Sequence, residues 1–178
     1  MRKLGIIAVL SLMALAIAAV PALAAKPTDT GGGSPHFIKN ATFSSLDGAN
    51  LVANFKETGL ASGATETITL AATVDTTYEC VTGGSTNPAA ANKKTFRTTE
   101  STSGEFTADK NGNIVGDLTL TAPTAEELGF TCPPGQTVTL VSVKYTDVTL
   151  TDADTGISTG LANQTYTNPD APPVKIRP

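Results

Sequence analysis

The chain has 178 residues, with 12 Lys and Arg against 16 Asp and Glu, and only 5% aromatic residues with no tryptophan. This length allows one domain with terminal extensions. The net charge of −4 argues against nucleic acid and anionic membranes as partners, because phosphate binding needs a basic patch. The scarcity of aromatic side chains argues against a sugar-binding surface.

The first 24 residues have the pattern of a bacterial export signal. Basic Met1–Lys3 precedes the apolar run Leu4–Val20, and Ala22–Ala24 has the small-x-small pattern that signal peptidase accepts. Cleavage is predicted after Ala24 or one residue later. A retained membrane helix is the alternative, but the run is short for a span. We therefore predict a Sec-type signal helix and a secreted protein, whose mature chain has 10 basic and 16 acidic residues and a net charge of −6.

The two ends of the mature chain have the composition of linkers. Residues 25–35 are rich in Gly, Thr and Pro, and residues 167–178 contain four prolines. Such segments cannot bury enough apolar surface to offset the entropy of ordering. We predict a disordered leader over 25–35, a folded domain over 36–166 and a disordered Pro-rich tail over 167–178.

Short segments of strict alternation predict β-strands across the domain. Leu51–Lys56 alternates apolar and polar residues, and Thr65–Val74 alternates apolar residues with threonine more regularly than any other stretch. The predicted strands in chain order are Phe37–Phe43, Leu51–Lys56, Thr65–Val74, Thr77–Val81, Lys94–Thr99, the two arms of Gly104–Thr121, Gln136–Tyr145 and Ile157–Leu161. About eight or nine short antiparallel strands joined by Gly, Asn and Pro turns predict an all-β fold, a single immunoglobulin-like β-sandwich.

Four local features refine this prediction. Gly104–Thr121 has the pattern of a β-hairpin that turns at Asp109–Asn113, where an Asn-Gly pair can supply positive φ angles. The alternation breaks at Asp75. After Asp147 the apolar face shifts by one residue, as at a β-bulge. The segment Ala122–Thr131 is expected to be a loop with one helical turn.

The two cysteines, Cys80 and Cys132, are the only ones in the chain. In an exported protein, two cysteines are far more often a structural disulfide than a reactive pair. A bond between them would close a loop of about fifty residues and stabilise the fold by roughly 4 kcal/mol in the chain-entropy model. A free thiol nucleophile is the alternative.

Metal binding is predicted only as an alternative at two acidic segments. Asp109, Asn111 and Asn113 carry oxygen side chains at positions 1, 3 and 5, as at the start of an EF-hand loop, but the Gly and the closing Glu of that loop are missing. A plain turn accounts for the same residues. Asp152 and Asp154, with Asp147 nearby, form a second acidic cluster that could hold calcium. No other cofactor is expected.

No catalytic constellation is found in the sequence. The single histidine, His36, lies at the edge of the first strand beside the leader and is interpreted as a surface residue, because a catalytic His must be held by packing and by a third group. The glutamates, among them Glu57, Glu66 and Glu79, are interpreted as solubilising charges on strand ends or polar faces. We expect that the protein is not an enzyme, with a secreted hydrolase as the least favoured class.

Three segments resemble small bacterial secreted proteins of uncharacterised function. They are YECVTGG (Tyr78–Gly84), FTADKNGNIVGDLTL (Phe106–Leu120) and CPPGQTVTLVSVKYTDVTLTD (Cys132–Asp152). Proteins of this kind carry one cysteine before a Gly-Gly loop, an Asn-Gly hairpin and a second cysteine in Cys-Pro-x-Gly-Gln. The resemblance covers most of 37–152. It implies a β-sandwich with one disulfide and implies no activity.

These observations predict an exported, non-enzymatic β-sandwich that binds an unknown protein or cell-wall partner. The loops Gly83–Asn92 and Ala122–Thr131 flank the cysteines and are the predicted contact regions, since long loops on a rigid scaffold often carry binding residues. A calcium-stabilised extracellular domain is the alternative. The oligomeric state and the ligand have no signal in the sequence.

Overall fold

A computed structural model of the chain describes residues 33–82 and 92–172. The elements are nine β-strands and one short 3₁₀ helix in this part of the chain. They are β1 (His36–Phe37), the 3₁₀ helix (Lys39–Ala41), β2 (Phe43–Asp47), β3 (Asn50–Thr58), β4 (Thr65–Thr82), β5 (Lys93–Thr107), β6 (Ile114–Leu120), β7 (Gln136–Asp152), β8 (Ser158–Gly160) and β9 (Gln164–Thr167).

The strands form two antiparallel sheets that pack as a sandwich, which confirms the predicted fold class. In the first sheet, β3 is central, with β1 and β2 along one edge and β6 along the other. In the second sheet, β4 lies between β5 and β7, and β8 and β9 pair with β7. The immunoglobulin-like part of the prediction stays a prediction.

The core lies between the sheets and is filled by alternate residues of each central strand. Leu51, Ala53 and Phe55 of β3 are at most 2% exposed. On β4, the inward residues from Ile68 to Val74 are equally buried. The Phe55 ring meets the Phe106 ring edge to face at 5.0 Å. The alternation seen in the sequence therefore identifies the inward faces correctly, because side chains on successive strand residues point to opposite faces.

The predicted hairpin at Gly104–Thr121 is wrong. β5 pairs with β4 in one sheet, and β6 pairs with β3 in the other, so the connection crosses between the sheets. The turn itself forms, since the Asp109 amide donates to the Asn113 carbonyl at 2.8 Å. A local turn sequence specifies the change of direction, but the partner strand is chosen by which sheet buries each apolar face.

β4 and β7 are longer and more continuous than predicted. The expected break at Asp75 is absent, and β4 pairs with β7 from Ile68 to Thr82 with register shifts near Ala72 and between Thr77 and Tyr78. The first shift lies opposite Asp147, whose φ is 52°. The bulge predicted at Asp147 is confirmed, because one extra residue on β7 moves the buried face to Val148 and Leu150.

The chain termini of the domain depart from the predicted strands. The single strand expected over Phe37–Phe43 is split by the 3₁₀ helix into β1 and β2. The last predicted strand is β8, and β9 was not predicted. Asn168, placed in the disordered tail, donates its amide to the Val141 carbonyl at 2.9 Å and its side-chain Nδ2 to the Leu140 carbonyl at 2.7 Å.

Several predictions lie outside the described residues. These are the signal helix over 1–24, the leader up to residue 32, most of the Gly83–Asn92 loop and the tail from residue 173. Within the described ranges, no helix has the length and hydropathy needed to cross a membrane.

Candidate functional site

Acidic side chains terminate the inward-facing rows of three strands at one end of the sandwich. The β3 row of Leu51, Ala53 and Phe55 ends in Glu57. The β4 row begins with Glu66, and the β7 row ends in Asp152. Glu57 and Asp152 are fully buried, and Glu66 is 4% exposed. We call these residues and Asp154 the carboxylate cluster.

The ligand atoms of three of these residues converge. One carboxylate oxygen each from Glu66, Asp152 and Asp154 lies within 4.8 Å of the other two, and Asp154 is the exposed member. Four carboxylates at one site are costly, because like charges that are removed from water repel each other strongly.

A tight turn after β7 holds the two aspartates. Asp152 Oδ1 accepts hydrogen bonds from the amides of Asp154 at 2.8 Å and Thr155 at 3.3 Å, and its Oδ2 accepts one from the Thr155 hydroxyl at 2.6 Å. Asp154 Oδ2 accepts a hydrogen bond from the Thr67 amide on β4 at 2.8 Å. The turn therefore fixes both carboxylates against the start of β4.

Glu57 approaches the other carboxylates of the cluster from the opposite sheet. Among the described residues, neither of its carboxylate oxygens has a hydrogen-bond partner. Burial, and then the charges of Asp152 and Glu66, raise the pKa of Glu57 from 4.5 to about 8. A proton or a cation at this site would offset the repulsion among the carboxylates.

The structure separates the acidic residues that the sequence grouped together. Asp147 is exposed at the bulge on β7 and does not belong to the cluster. Asp109 Oδ1 accepts hydrogen bonds from the amides of Asn111 at 2.8 Å and Asn113 at 2.9 Å. These bonds lower the pKa of Asp109. The Asp109 carboxylate thus closes its own turn, as the plain-turn interpretation predicts.

The interpretation of Glu57, Glu66 and Glu79 as surface charges is wrong, since all three are buried. The signal for the first two was present in the sequence: Glu57 continues the parity of Leu51–Phe55, and Glu66 that of Ile68–Val74. The position of a residue within an alternating row predicts its burial better than its charge does. Burial raises the pKa of Glu79 as well, against the opposing charge of Lys93.

The opposite end of the sandwich is closed by a covalent bond and by aromatic rings. Cys80 of β4 and Cys132 form a disulfide with an S–S distance of 2.02 Å, which confirms that prediction. The Phe130 ring stacks on Tyr78 at 6.0 Å and meets the Phe96 ring at 5.9 Å. The Tyr78 hydroxyl donates to the Pro123 carbonyl at 2.9 Å. Disulfides persist in oxidising compartments outside the cytoplasm.

The segment between β6 and the disulfide is ordered by its own side chains. The Thr124 amide and hydroxyl both donate to Glu127 Oε2 at 2.8 Å, and the Glu127 amide donates back to the Thr124 hydroxyl at 3.3 Å. This reciprocal arrangement is a capping box. It is followed by one turn, in which the Leu128 amide donates to the Thr124 carbonyl at 3.1 Å. The predicted helical turn is present as a hydrogen-bonded turn.

This segment lines one side of an open cleft between the two sheets. The cleft has a volume of about 470 Å³. Its lining comprises residues of β5 (Thr98, Glu100, Ser101, Thr102), β6 (Thr119, Leu120) and the segment that follows β6 (Thr121, Ala122, Pro123, Glu127, Leu128). The lining is acidic and rich in hydroxyl groups. It includes part of the predicted Ala122–Thr131 contact loop.

Both strands that flank this cleft are edge strands in the described part of the chain. β5 pairs only with β4, and β6 pairs only with β3. An edge strand presents a row of backbone N–H and C=O groups to its open side. Glu100 on β5 lies opposite Ala72, six residues along β4 from Glu66. At about 3.3 Å per residue the cleft is roughly 20 Å from the carboxylate cluster.

His36 lies at the start of the first strand, as predicted, and contacts the backbone just before it. Its ring Nδ1 lies 2.8 Å from the Ser34 carbonyl oxygen, and the side chain is exposed at the start of β1. The residue lies on the first sheet and is not among those that line the cleft or form the carboxylate cluster.

Comparison with known proteins adds little to this geometry. No family model matches the chain, and no curated protein matches it. Among solved structures, the solution structure of R. palustris CsgH is similar over 75% of this chain and 91% of that chain, with 13% identity and a TM-score of 0.23. A TM-score this low carries no argument about function. The resemblance to uncharacterised secreted proteins therefore stays a prediction.

Proposed function

We propose that this protein is an exported, non-enzymatic binding module that takes an extended, basic polypeptide segment of a partner into the cleft between β5 and β6. The observation that carries the proposal is the pair of edge strands on the two sides of one acidic cleft. Added strands are held by main-chain hydrogen bonds to such edges, and side-chain pockets supply specificity.

The length of the cleft suits a short strand. Thr98–Thr102 of β5 lines it along one side, which corresponds to roughly 16 Å of extended chain. Among the described residues, the backbone of this stretch pairs only with β4, and its other side is open. A five-residue segment of a partner could pair along it.

The charge of the cleft favours a basic segment. Glu100 and Glu127 line it, and no Lys or Arg is among the described residues of the lining. Glu100 belongs to the inward face of β5 and is half-buried, so its attraction to a partner cation is screened less than that of a surface charge. The hydroxyl groups of Ser101 and Thr102 can hydrogen-bond to a partner side chain without adding charge.

A peptide titration tests this proposal. The mature chain, labelled with ¹⁵N, is titrated with an octapeptide of alternating lysine and threonine, and amide chemical shifts are followed. We expect the largest changes over 98–102 and 119–121. A second octapeptide, N-methylated at alternate residues on its pairing edge, should bind at least about tenfold more weakly, because it has lost its main-chain donors.

Glu100→Gln and Glu105→Gln form a matched pair of variants. Both residues lie on β5, but Glu105 is on the exposed face. The first substitution should weaken binding about fivefold and the second should leave it unchanged. Equal effects of the two substitutions on peptide affinity would contradict strand pairing. The same holds if N-methylation leaves the affinity unchanged, because binding would then depend only on net charge.

Export is the other half of the proposal, supported by the signal-like N-terminus and by the disulfide. Fractionation of producing cells should find a chain that begins at residue 25 in the wall fraction or in the medium. Release from the wall by salt would indicate a charged surface partner. A full-length chain in the cytoplasm would contradict export.

A further inference from the structure

We propose that Glu57, Glu66, Asp152 and Asp154 form a binding site for one divalent cation of the calcium class, which closes the end of the sandwich opposite the disulfide. The site is independent of the cleft proposed above to bind polypeptide. It differs from the calcium sites that the sequence suggested, because it excludes Asp147 and the Asp109 turn and includes two glutamates that were interpreted as surface charges.

The first argument is the convergence of ligand atoms from three elements. The oxygens of Glu66, Asp152 and Asp154 are all within 4.8 Å of one another. Calcium binds oxygen at about 2.3–2.6 Å, so one ion can bridge oxygens with this spread. β4, the end of β7 and the turn after it each supply a ligand, and the two sheets are joined when Glu57 of β3 is added.

The second argument is independent of the convergence of Glu66, Asp152 and Asp154 and comes from Glu57. Its side chain is fully buried and faces the charges of Asp152 and Glu66. In the part of the chain that the structure describes, both of its oxygens are without a hydrogen-bond partner. A buried carboxylate without a partner costs far more than an exposed one. A cation at the cluster would give these two oxygens a partner and would offset the repulsion among the four groups.

The chemistry of the donors selects the class of cation. All four ligands are carboxylates, which are the oxygen donors preferred by hard cations. The cluster contains no Cys or His, whereas zinc and copper sites usually use imidazole or thiolate. Calcium tolerates an irregular shell of six to eight oxygens, while magnesium demands a near-octahedral one. Glutamates from two sheets and two aspartates from one turn fit the more tolerant ion.

The site is also accessible and already positioned. Asp154 is exposed, so that an ion can enter from solvent at the end of the sandwich. The hydrogen bonds from the Thr67 amide to Asp154 and from Thr155 to Asp152 orient these carboxylates in the absence of an ion. Each carboxylate oxygen can accept more than one interaction, so these bonds leave room for coordination.

Thermal unfolding of the mature chain tests the proposal. Melts are recorded at neutral pH in 5 mM CaCl₂, in 5 mM MgCl₂ and in EDTA, at matched ionic strength. A ligand that binds only the folded state raises the unfolding midpoint. We expect calcium to raise it by about 5 °C or more relative to EDTA, and magnesium to raise it by less. Calorimetric titration should give one calcium ion per chain.

Three variants identify the site. Asp154→Asn changes an exposed residue and keeps an oxygen acceptor for the Thr67 amide, so it should fold and should lose most of the calcium shift. Glu57→Gln should lose it as well. Asp147→Asn, an exposed aspartate on β7 outside the cluster, should keep it.

Other outcomes would overturn the proposal. An absent calcium shift in the unsubstituted chain would show that the buried carboxylates are balanced by a shared proton only. A shift that survives Asp154→Asn and Glu57→Gln but disappears in Asp109→Asn would place the ion at the β5–β6 turn. Equal loss in Asp147→Asn would indicate nonspecific charge screening.

Discussion

The two ends of the sandwich close in opposite ways. At one end, the Cys80–Cys132 disulfide joins β4 to the segment before β7, and Tyr78 and Phe130 pack beside it. At the other, the inward rows of β3, β4 and β7 end in Glu57, Glu66 and Asp152. The first end also buries one carboxylate, that of Glu79, but a covalent bond and ring contacts close it. The second end buries charges that destabilise the fold until something balances them.

This difference suggests a division of roles. A disulfide is permanent in an oxidising environment and makes one end rigid under all solution conditions. A carboxylate cluster responds to what the solution contains, because its contribution depends on an ion or a proton. The comparison therefore predicts that the disulfide end determines the basal stability and the carboxylate end determines its dependence on conditions.

Removal of the disulfide should have the largest effect. Replacing both cysteines with serine opens a loop with a sequence separation of 52 and should lower the free energy of unfolding by about 4 kcal/mol. Cys80→Ser alone should be no less destabilising than the double replacement. Urea denaturation measures both, with the reduced unsubstituted protein as control. A loss below about 1 kcal/mol would mean that the aromatic contacts hold this end without the bond.

Glu57→Gln should have the second largest effect, with the opposite sign. In EDTA at pH 7 the substitution removes a buried carboxylate that has no partner and introduces an amide that can donate to Asp152, so stability should rise by about 1–3 kcal/mol. Glu105→Gln on the exposed face of β5 is the control and should change little. Destabilisation by Glu57→Gln in EDTA would mean that the carboxylate end is stable without an ion. The proposed difference between the two ends would then be wrong.

Tyr78→Phe should have a smaller effect at the disulfide end. The substitution removes the hydrogen bond to the Pro123 carbonyl and should cost about 1 kcal/mol. Burial, and then the charge of Glu127, raise the pKa of Tyr78 above 10.0. A raised folded-state pKa means that this contribution is complete below the unfolded pKa near 10 and is lost as the pH rises through the folded one. Denaturation between pH 8 and pH 11 should show the difference from the unsubstituted protein shrink, with Tyr166→Phe as control.

Asp109→Asn should have the smallest effect. Hydrogen bonds from the Asn113 and Asn111 amides lower the pKa of Asp109, which is exposed. A lowered folded-state pKa means that the contribution is present above the unfolded value of 3.8 and is lost as the pH falls through the folded one. The variant should have a slightly lower urea midpoint at pH 7 and an equal midpoint at pH 2. A calcium-dependent difference between the two proteins would instead indicate an ion at this turn.

Much of the fold could be read from the sequence because its signals are local or unique. The alternation of Leu51–Lys56 and Thr65–Val74 identifies inward faces, the shift after Asp147 identifies a bulge, and two cysteines allow only one intramolecular pairing. In each case a short stretch of chain carries the whole signal. The cleft was only partly predicted, through the Ala122–Thr131 loop.

The rest was decided by contacts between residues that are far apart in the chain. The Asn-Gly turn predicted a hairpin, yet β5 and β6 join different sheets, because strand partners are chosen by the burial of entire faces. Glu66 and Asp152 are brought together by the pairing of β4 with β7, and the packing of the two sheets brings Glu57 of β3 to them. The sequence by itself determined which residues face inward. Which inward residues meet depends on register and sheet order, and those are properties of the tertiary structure.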